Sequence, residues 1–182
     1  MNVIEILEDD HRRILALLAL LDITLDRLAA GRAPPRQVFD VGTSLANEYA
    51  DGFHHFKEEY LLFGVLAQKH HGELDRMILR HREQHEQTRD LLKDLSAALD
   101  GYARGEPEAI ATVGSLAAFY VRTLRGHIRS ENEVFFPMAH AALTDTEKDV
   151  LLDQFTKYEQ STAPGARERM DAGLDEMRQL LR

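Results

Sequence analysis

Three observations predict an all-α fold. Apolar residues recur at alternating steps of three and four along four long stretches. Prolines and glycines are few, five and eleven in 182 residues, and Gly31, Pro34-Pro35, Gly72, Gly101, Gly105, Pro107 and Pro164-Gly165 fall where those stretches stop. No run alternates with the period of two that a half-buried strand needs. The expected architecture is an up-down-up-down four-helix bundle followed by two short helices. The corresponding domain organisation is a bundle over residues 1–142 and a helical appendage over 143–182, packed on the bundle or at an interface.

The first helix is expected from a cap at Asn2 to about Ala30, closed by Gly31 and Pro34-Pro35. Its seam reads Ile4, Leu7, His11, Ile14, Leu18, Leu21, Leu25, Leu28, and only His11 is not aliphatic. The second covers about Arg36 to Lys69, with Leu45, Tyr49, Phe53, Phe56, Tyr60 and Phe63 as an apolar stripe. Beside that stripe lie His54 and Glu58, continued by Leu61 and Val65; Asn47, higher on the same line, is expected to be solvated. After a turn at His70-His71-Gly72, a third helix from near Glu73 carries Leu74, Ile78, His81, His85, Thr88, Leu92, Leu95 and Leu99. The fourth starts by Pro107 and presents Ile110, Val113, Ala117, Tyr120, Leu124, His127, Glu131, Val134 and Met138, with Pro137 expected to kink or end it. A capping box, Thr144 to Glu147, opens a fifth helix on Leu151, Leu152, Phe155 and Tyr158. Past Pro164-Gly165, a sixth carries Met170, Leu174, Met177 and Leu181.

Composition narrows the function by exclusion. A formal net charge of −9 with dispersed Lys and Arg argues against nucleic-acid binding. With no cysteine, disulfides, thiolate metal sites and cysteine nucleophiles are excluded. No apolar run approaches a membrane span and the first residues lack a signal-peptide pattern, so no membrane partner and a cytoplasmic location are expected. A Gly-rich phosphate loop, a Gly-x-Ser-x-Gly elbow and a His-Glu-x-x-His motif are all missing, and the Glu-x-x-His spacing of ferritin-like sites occurs only at Glu8/His11.

What remains is a set of polar interruptions in apolar seams. His54 and Glu58, like His127 and Glu131, stand four residues apart, so each pair aims an imidazole and a carboxylate from one helix face. Counting residues from each connecting turn puts His11, His54/Glu58, His81/His85 and His127/Glu131 at one depth to within about a helical turn. Five imidazoles and two carboxylates would each cost several kcal/mol if buried without partners, roughly the penalty for any such group. A pair of metal ions removes that difficulty, and nitrogen-rich ligation with bridging carboxylates suits iron better than magnesium or calcium, with zinc and manganese as alternatives. His55/Glu59 offers a competing i,i+4 register, but 54/58 is preferred because Glu58-Glu59-x-Leu-Leu-Phe parallels Glu131-Asn132-Glu133-Val134-Phe135-Phe136. His70, His71 and His140, near helix ends, are expected to be exposed, and Tyr120 and Thr88 to be packing residues.

The combination of His-x-x-x-Glu-Glu-x-x-Leu-Phe at 54–63 with His-x-x-x-Glu-x-x-x-Phe-Phe-Pro at 127–137 resembles the hemerythrin family, specifically its bacterial HHE cation-binding branch. The resemblance spans about residues 5–160. It implies that His11 and His54 bind one iron, that His81, His85 and His127 bind the other, and that Glu58 and Glu131 join an oxo or hydroxo bridge between them. The unequal histidine count implies an open position on the first iron, where the family binds dioxygen end-on. Two departures stand out. The family's oxygen carriers space the last histidine and carboxylate one residue further apart than His127/Glu131. Many relatives have Phe-Pro where this chain has Phe63-Gly64.

The function implied is a non-enzymatic diiron protein that binds dioxygen or another small diatomic or peroxide ligand for sensing, storage or delivery. Alternatives are a diiron enzyme handling peroxide or nitric oxide, and a signalling module whose metal state controls a partner or a second copy through the C-terminal helices. Relatives with a role in iron–sulfur repair usually carry an N-terminal cysteine segment, which weakens that role here.

Overall fold

The computed structural model describes residues 2–69 and 72–182; the turn and the exposure expected at His70-His71 lie outside the described residues. Among the described residues all regular structure is helical. Helix α1 spans Val3–Ala29, opened by Asn2, whose side chain accepts from the Ile4 and Glu5 amides while Glu5 reaches back to the Asn2 amide. Gly31, at φ 71°, takes the left-handed conformation that lets the chain leave the helix. Helix α2 runs continuously over 36–67, α3 over Gly72–Ala103 and α4 over 107–142. Helices α5 (Asp145–Ser161) and α6 (Ala166–Leu180) follow, the first opened by the Thr144–Glu147 capping box.

These four long helices form a bundle in which α3 packs on α4, α1 on α4, and α2 on both α1 and α3. Helix α6 lies against α1 and α2, and the approach is close: a Cβ on Gly173 would fall 2.6 Å from a Leu45 methyl. Tyr158, Met170, Leu174 and Met177 thereby share one core with Ile14, Leu18, Leu21, Tyr49, Phe53 and Leu124. A second core, of Ile4, Leu7, Leu62, Phe63, Leu66, Leu74, Ile78, Phe135 and Phe155, is separate from it. Between the two along each long helix sit the buried polar residues: His11, His54 to Glu58, His81 to His85, and His127 to Glu131. No helix among the described residues is long and apolar enough to cross a membrane.

Helices α2 and α4 depart from the α-helix at this polar layer. Residues Ala46–His55 and Lys57–Leu62 of α2, and Glu131–Phe135 of α4, have π-helical hydrogen bonding. A π turn holds one residue more than an α turn, so every side chain beyond it arrives one position late. That corrects two expected seams. In α2 Leu62 and Leu66 are buried beyond Glu58 in place of Leu61 and Val65, Phe63 is buried as expected, and Tyr60 is 68% exposed. In α4 Phe135 and Ala139 are buried in place of Val134 and Met138, and Val134 is 46% exposed. Pro137 neither ends nor breaks α4. It falls in the first turn of the α-helical stretch Phe136–Ala142, just after the π segment, where a missing N–H costs no hydrogen bond.

The slipped register makes a direct prediction for chemical denaturation. Leu62→Ala and Phe135→Ala should each destabilise by about 2–5 kcal/mol, whereas Tyr60→Ala and Val134→Ala should stay within about 1 kcal/mol. The reverse order would restore the unbroken α-helical register.

Candidate metal centre

The polar layer brings together all seven residues singled out in the sequence. His11 comes from α1, His54 and Glu58 from α2, His81 and His85 from α3, and His127 and Glu131 from α4, and each is at most 1% exposed. His11 Nε2 lies 3.2 Å from Glu131 Oε2, His127 Nε2 3.1 Å from Glu131 Oε1, and His81 Nδ1 3.4 Å from the same oxygen. Glu58 stands across from them, with Oε1 3.6 Å from His54 Nε2 and Oε2 3.5 Å from His85 Nε2. One further imidazole enters the layer. His55, 2% exposed, stacks on His85 with ring centroids 3.7 Å apart.

Three groups of these donors lie within 4.8 Å of one another: His11, His54, Glu58 and Glu131; His55, Glu58, His85 and His127; and His81, His127 and Glu131. A metal held at about 2.0–2.2 Å by each ligand needs donors no further apart than about 4.4 Å, so the spacing suits ions between them. More telling, Nε2 of His11, His54, His55 and His81 and both oxygens of Glu58 and Glu131 are buried without a hydrogen bond. Buried polar atoms are almost always satisfied by protein or water. Imidazole nitrogens and carboxylate oxygens left without partners in one layer fit a cation site.

Comparison with known families decides the identity: residues 2–139 match the hemerythrin HHE cation-binding domain. The chain belongs to that family. No curated protein and no solved structure matches it.

Within this HHE domain the histidines are oriented by polar partners on their Nδ1 atoms. His11 Nδ1 donates to Asn132 Oδ1 at 2.7 Å, His85 Nδ1 to Glu59 Oε1 at 2.6 Å, and His127 Nδ1 to Gln84 Oε1 at 3.0 Å. His55 Nδ1 faces Asp51 Oδ1 at 3.3 Å, whereas His54 Nδ1 makes no hydrogen bond and has Asp10 Oδ2 3.7 Å away. An acceptor on Nδ1 fixes the tautomer and leaves the Nε2 lone pair facing inward, the usual arrangement of a ligating imidazole. His81 differs: its Nδ1 faces inward toward Glu131 and His127, and its ring packs on Phe135.

The electrostatics favour donors that are already deprotonated. Burial pushes His54 down to about 3, helped by the neighbouring His11 and opposed by Asp10. His55 falls to about 4 through burial, with Asp51 opposing, and His81 to about 4 through burial against the pull of Glu131. Burial beside His55 and His127 holds His85 well below its ordinary value. Burial raises both carboxyls, but they part: Glu131 is drawn well below the carboxylate range by His127 and His11, while Glu58, facing Glu131 and Glu59, rises well above it. A cation between the two would remove the repulsion that keeps Glu58 protonated.

The sequence reading passed over several residues that support this layer. Asp51 holds His55 and is held by Arg89, whose guanidinium spans Asp51 and Glu59 at 2.7 Å each. Lys57 was not expected inside at all. It is fully buried, with Nζ 2.5 Å from Asp10 Oδ2, 2.9 Å from Glu159 Oε1, and 3.9 Å above the Phe53 ring. Asp10 also accepts from the Tyr49 hydroxyl at 2.9 Å and from Arg167 at 3.2 Å. No periodicity marks such partners, since each is picked out by its charge complement on another helix. Asn47 and His140 are exposed, as expected.

Two outcomes follow. For the metal-free protein, His54, His55, His81 and His85 stay neutral when folded but take up protons near 6.5 when unfolded. The unfolded chain then binds more protons, so stability present above about pH 6.5 is lost as pH falls toward 4. Glu58, with its raised value, has the opposite sign, but it is one group against four. Unfolding free energies from urea titrations over this range should show a slope of about 1.4 kcal/mol per pH unit for each net proton, and a flat profile would contradict the burial of neutral imidazoles. Lys57→Ala, which leaves the buried Asp10 carboxylate short of a partner, should cost about 3–5 kcal/mol in the same measurement.

Proposed function

We propose that this HHE domain is a non-haem diiron protein that binds dioxygen, for sensing, storage or delivery, rather than an enzyme. In this reading His11 and His54 hold one ion, His81, His85 and His127 the other, and Glu58 and Glu131 lie between them. The carrying observation is the layer of buried donors that make no hydrogen bond, with Nδ1 partners turning Nε2 inward on His11, His85 and His127. Iron in such a site supplies the redox chemistry that dioxygen binding requires. The chain supplies imidazoles, a dry wall of Phe63, Phe135 and Phe136 beside them, and only two histidines, His11 and His54, to the ion on the His11 side in this reading. The four long helices are read as running up-down-up-down over residues 1–142, in the cytoplasm, with 143–182 as an appendage.

A second reading is supported by the appendage itself. Glu159 and Arg167 reach Lys57 and Asp10, and Asp10 backs His54. A metal-dependent change at His54 could thus be felt in the C-terminal helices and passed to a partner or second copy, with the same ions acting as signal rather than cargo. Turnover of peroxide or nitric oxide is the enzymatic alternative, distinguished by product formation.

The test is iron loading without air, followed by optical titration with oxygen. Two irons per chain and a visible band that appears with oxygen and fades on its removal are expected, and Glu58→Ala should abolish both the second iron and the band. Irreversible passage to one oxidised spectrum would exclude carriage.

A further inference from the structure

His55 is the imidazole in the polar layer to which no role has been given. In a regular α-helix, adjacent residues point about 100° apart, so His54 and His55 would not both face one interior point. Here both lie in the π-helical stretch Ala46–His55, and both are buried, at 1% and 2% exposure. Their rings stand 5.7 Å apart, His54 toward His11 and His55 toward His85 and His127.

An ordinary core histidine satisfies both of its nitrogens. His55 satisfies one, at Asp51, and its Nε2 is buried with no partner. Its support copies that of His85, the ring stacked on it. Asp51 stands behind His55 and Glu59 behind His85, and Arg89 bonds both carboxylates. A carboxylate behind an imidazole is the arrangement that raises the basicity of a metal ligand and fixes its orientation. Donor atoms of His55, Glu58, His85 and His127 lie within 4.8 Å of one another, a complete four-donor set on the α3 side of the layer.

We infer that His55 is a metal ligand, joining His85, His127 and Glu58 at the second metal position. This rests on the dinuclear reading above and deepens it: the paired histidines 54 and 55 each serve a different ion, and the widened turn lets one helix do both. One more imidazole on the second ion leaves the first, beside His11 and His54, as the ion with room for an external ligand.

The experiment is Fe(II) titration of the full chain under nitrogen, with binding stoichiometry and affinity read for wild type and His55→Ala, and melting curves recorded for both metal-free proteins. The expected result is two ions on wild type, and for His55→Ala one ion bound normally with the second at least about 100-fold weaker. The metal-free melting curves show whether the variant is folded, so that a lost ion is read against an intact bundle. Should the alanine variant not fold, His55→Gln must show the same loss. Two ions bound to the variant with wild-type affinity would overturn the assignment of His55 and leave the dinuclear reading standing. Fewer than two ions on wild type would overturn both.

Discussion

Too many metal donors are buried together in one layer, and the rest of the structure answers to that. Aliphatic side chains above and below could close into a single continuous core, yet six imidazoles and two carboxylates divide it. Without a cation the layer is unevenly balanced, and the two carboxyls part: His127 and His11 draw Glu131 down, while Glu58, facing Glu131 and Glu59, is pushed up. Burial alone pushes buried carboxyls up; only the imidazoles around Glu131 turn it downward. Attraction within the site thus serves Glu131, while Glu58 and the unpaired imidazole nitrogens are held in place by their surroundings.

Those surroundings reach across the whole chain. Asn132 behind His11 belongs to α4, and Gln84 behind His127 belongs to α3, so each of these helices orients a histidine of another. Arg89 of α3 fixes two carboxylates of α2. Behind His54 the chain of contacts leaves the bundle: Asp10 is shared by Lys57, Tyr49 and Arg167, and Glu159 closes the cluster from α5. Fully buried charges are tolerable only when paired and hydrogen-bonded, and here the pairing for Lys57 and Asp10 comes partly from residues beyond 142. Tyr158 adds to this by donating to the Gly52 carbonyl, inside the π-helical part of α2. The C-terminal helices thus contribute to the environment of His54 as well as to the apolar core.

Much of this was legible in the sequence. The helical class, the caps at Asn2 and Thr144, and the unbroken three-four seam of α3 follow from local chemistry that needs no partner to be recognised. The convergence of seven donors was legible because polar residues in apolar seams are conspicuous and could be placed by depth. The π turns were not, because the residues around 54–62 and 131–135 fit an α-helical seam equally well one position earlier. Leu61 or Leu62, and Val134 or Phe135, are both apolar choices, and only tertiary packing selects the second of each. The same degeneracy hid His55. With 54/58 and 55/59 as rival registers, a regular helix permits one histidine inside, and the structure uses a widened turn to admit both.

That widening has an energetic side. A π turn has poorer packing along its axis than an α turn, and it persists where something compensates. In α2 it starts before His54 and runs past Glu58; in α4 it begins at Glu131. Both irregular segments carry a carboxylate of the central layer, and both hand over to a run of buried apolar residues, Leu62-Phe63 and Phe135-Phe136, that anchors the shifted register from one side. From the other side a bound cation would compensate, since its binding free energy is available only to a chain that already holds the donors in place. Metal affinity and the stability of the irregular turns are then two readings of one equilibrium: whatever straightens α2 toward a regular helix must turn a donor away from the centre.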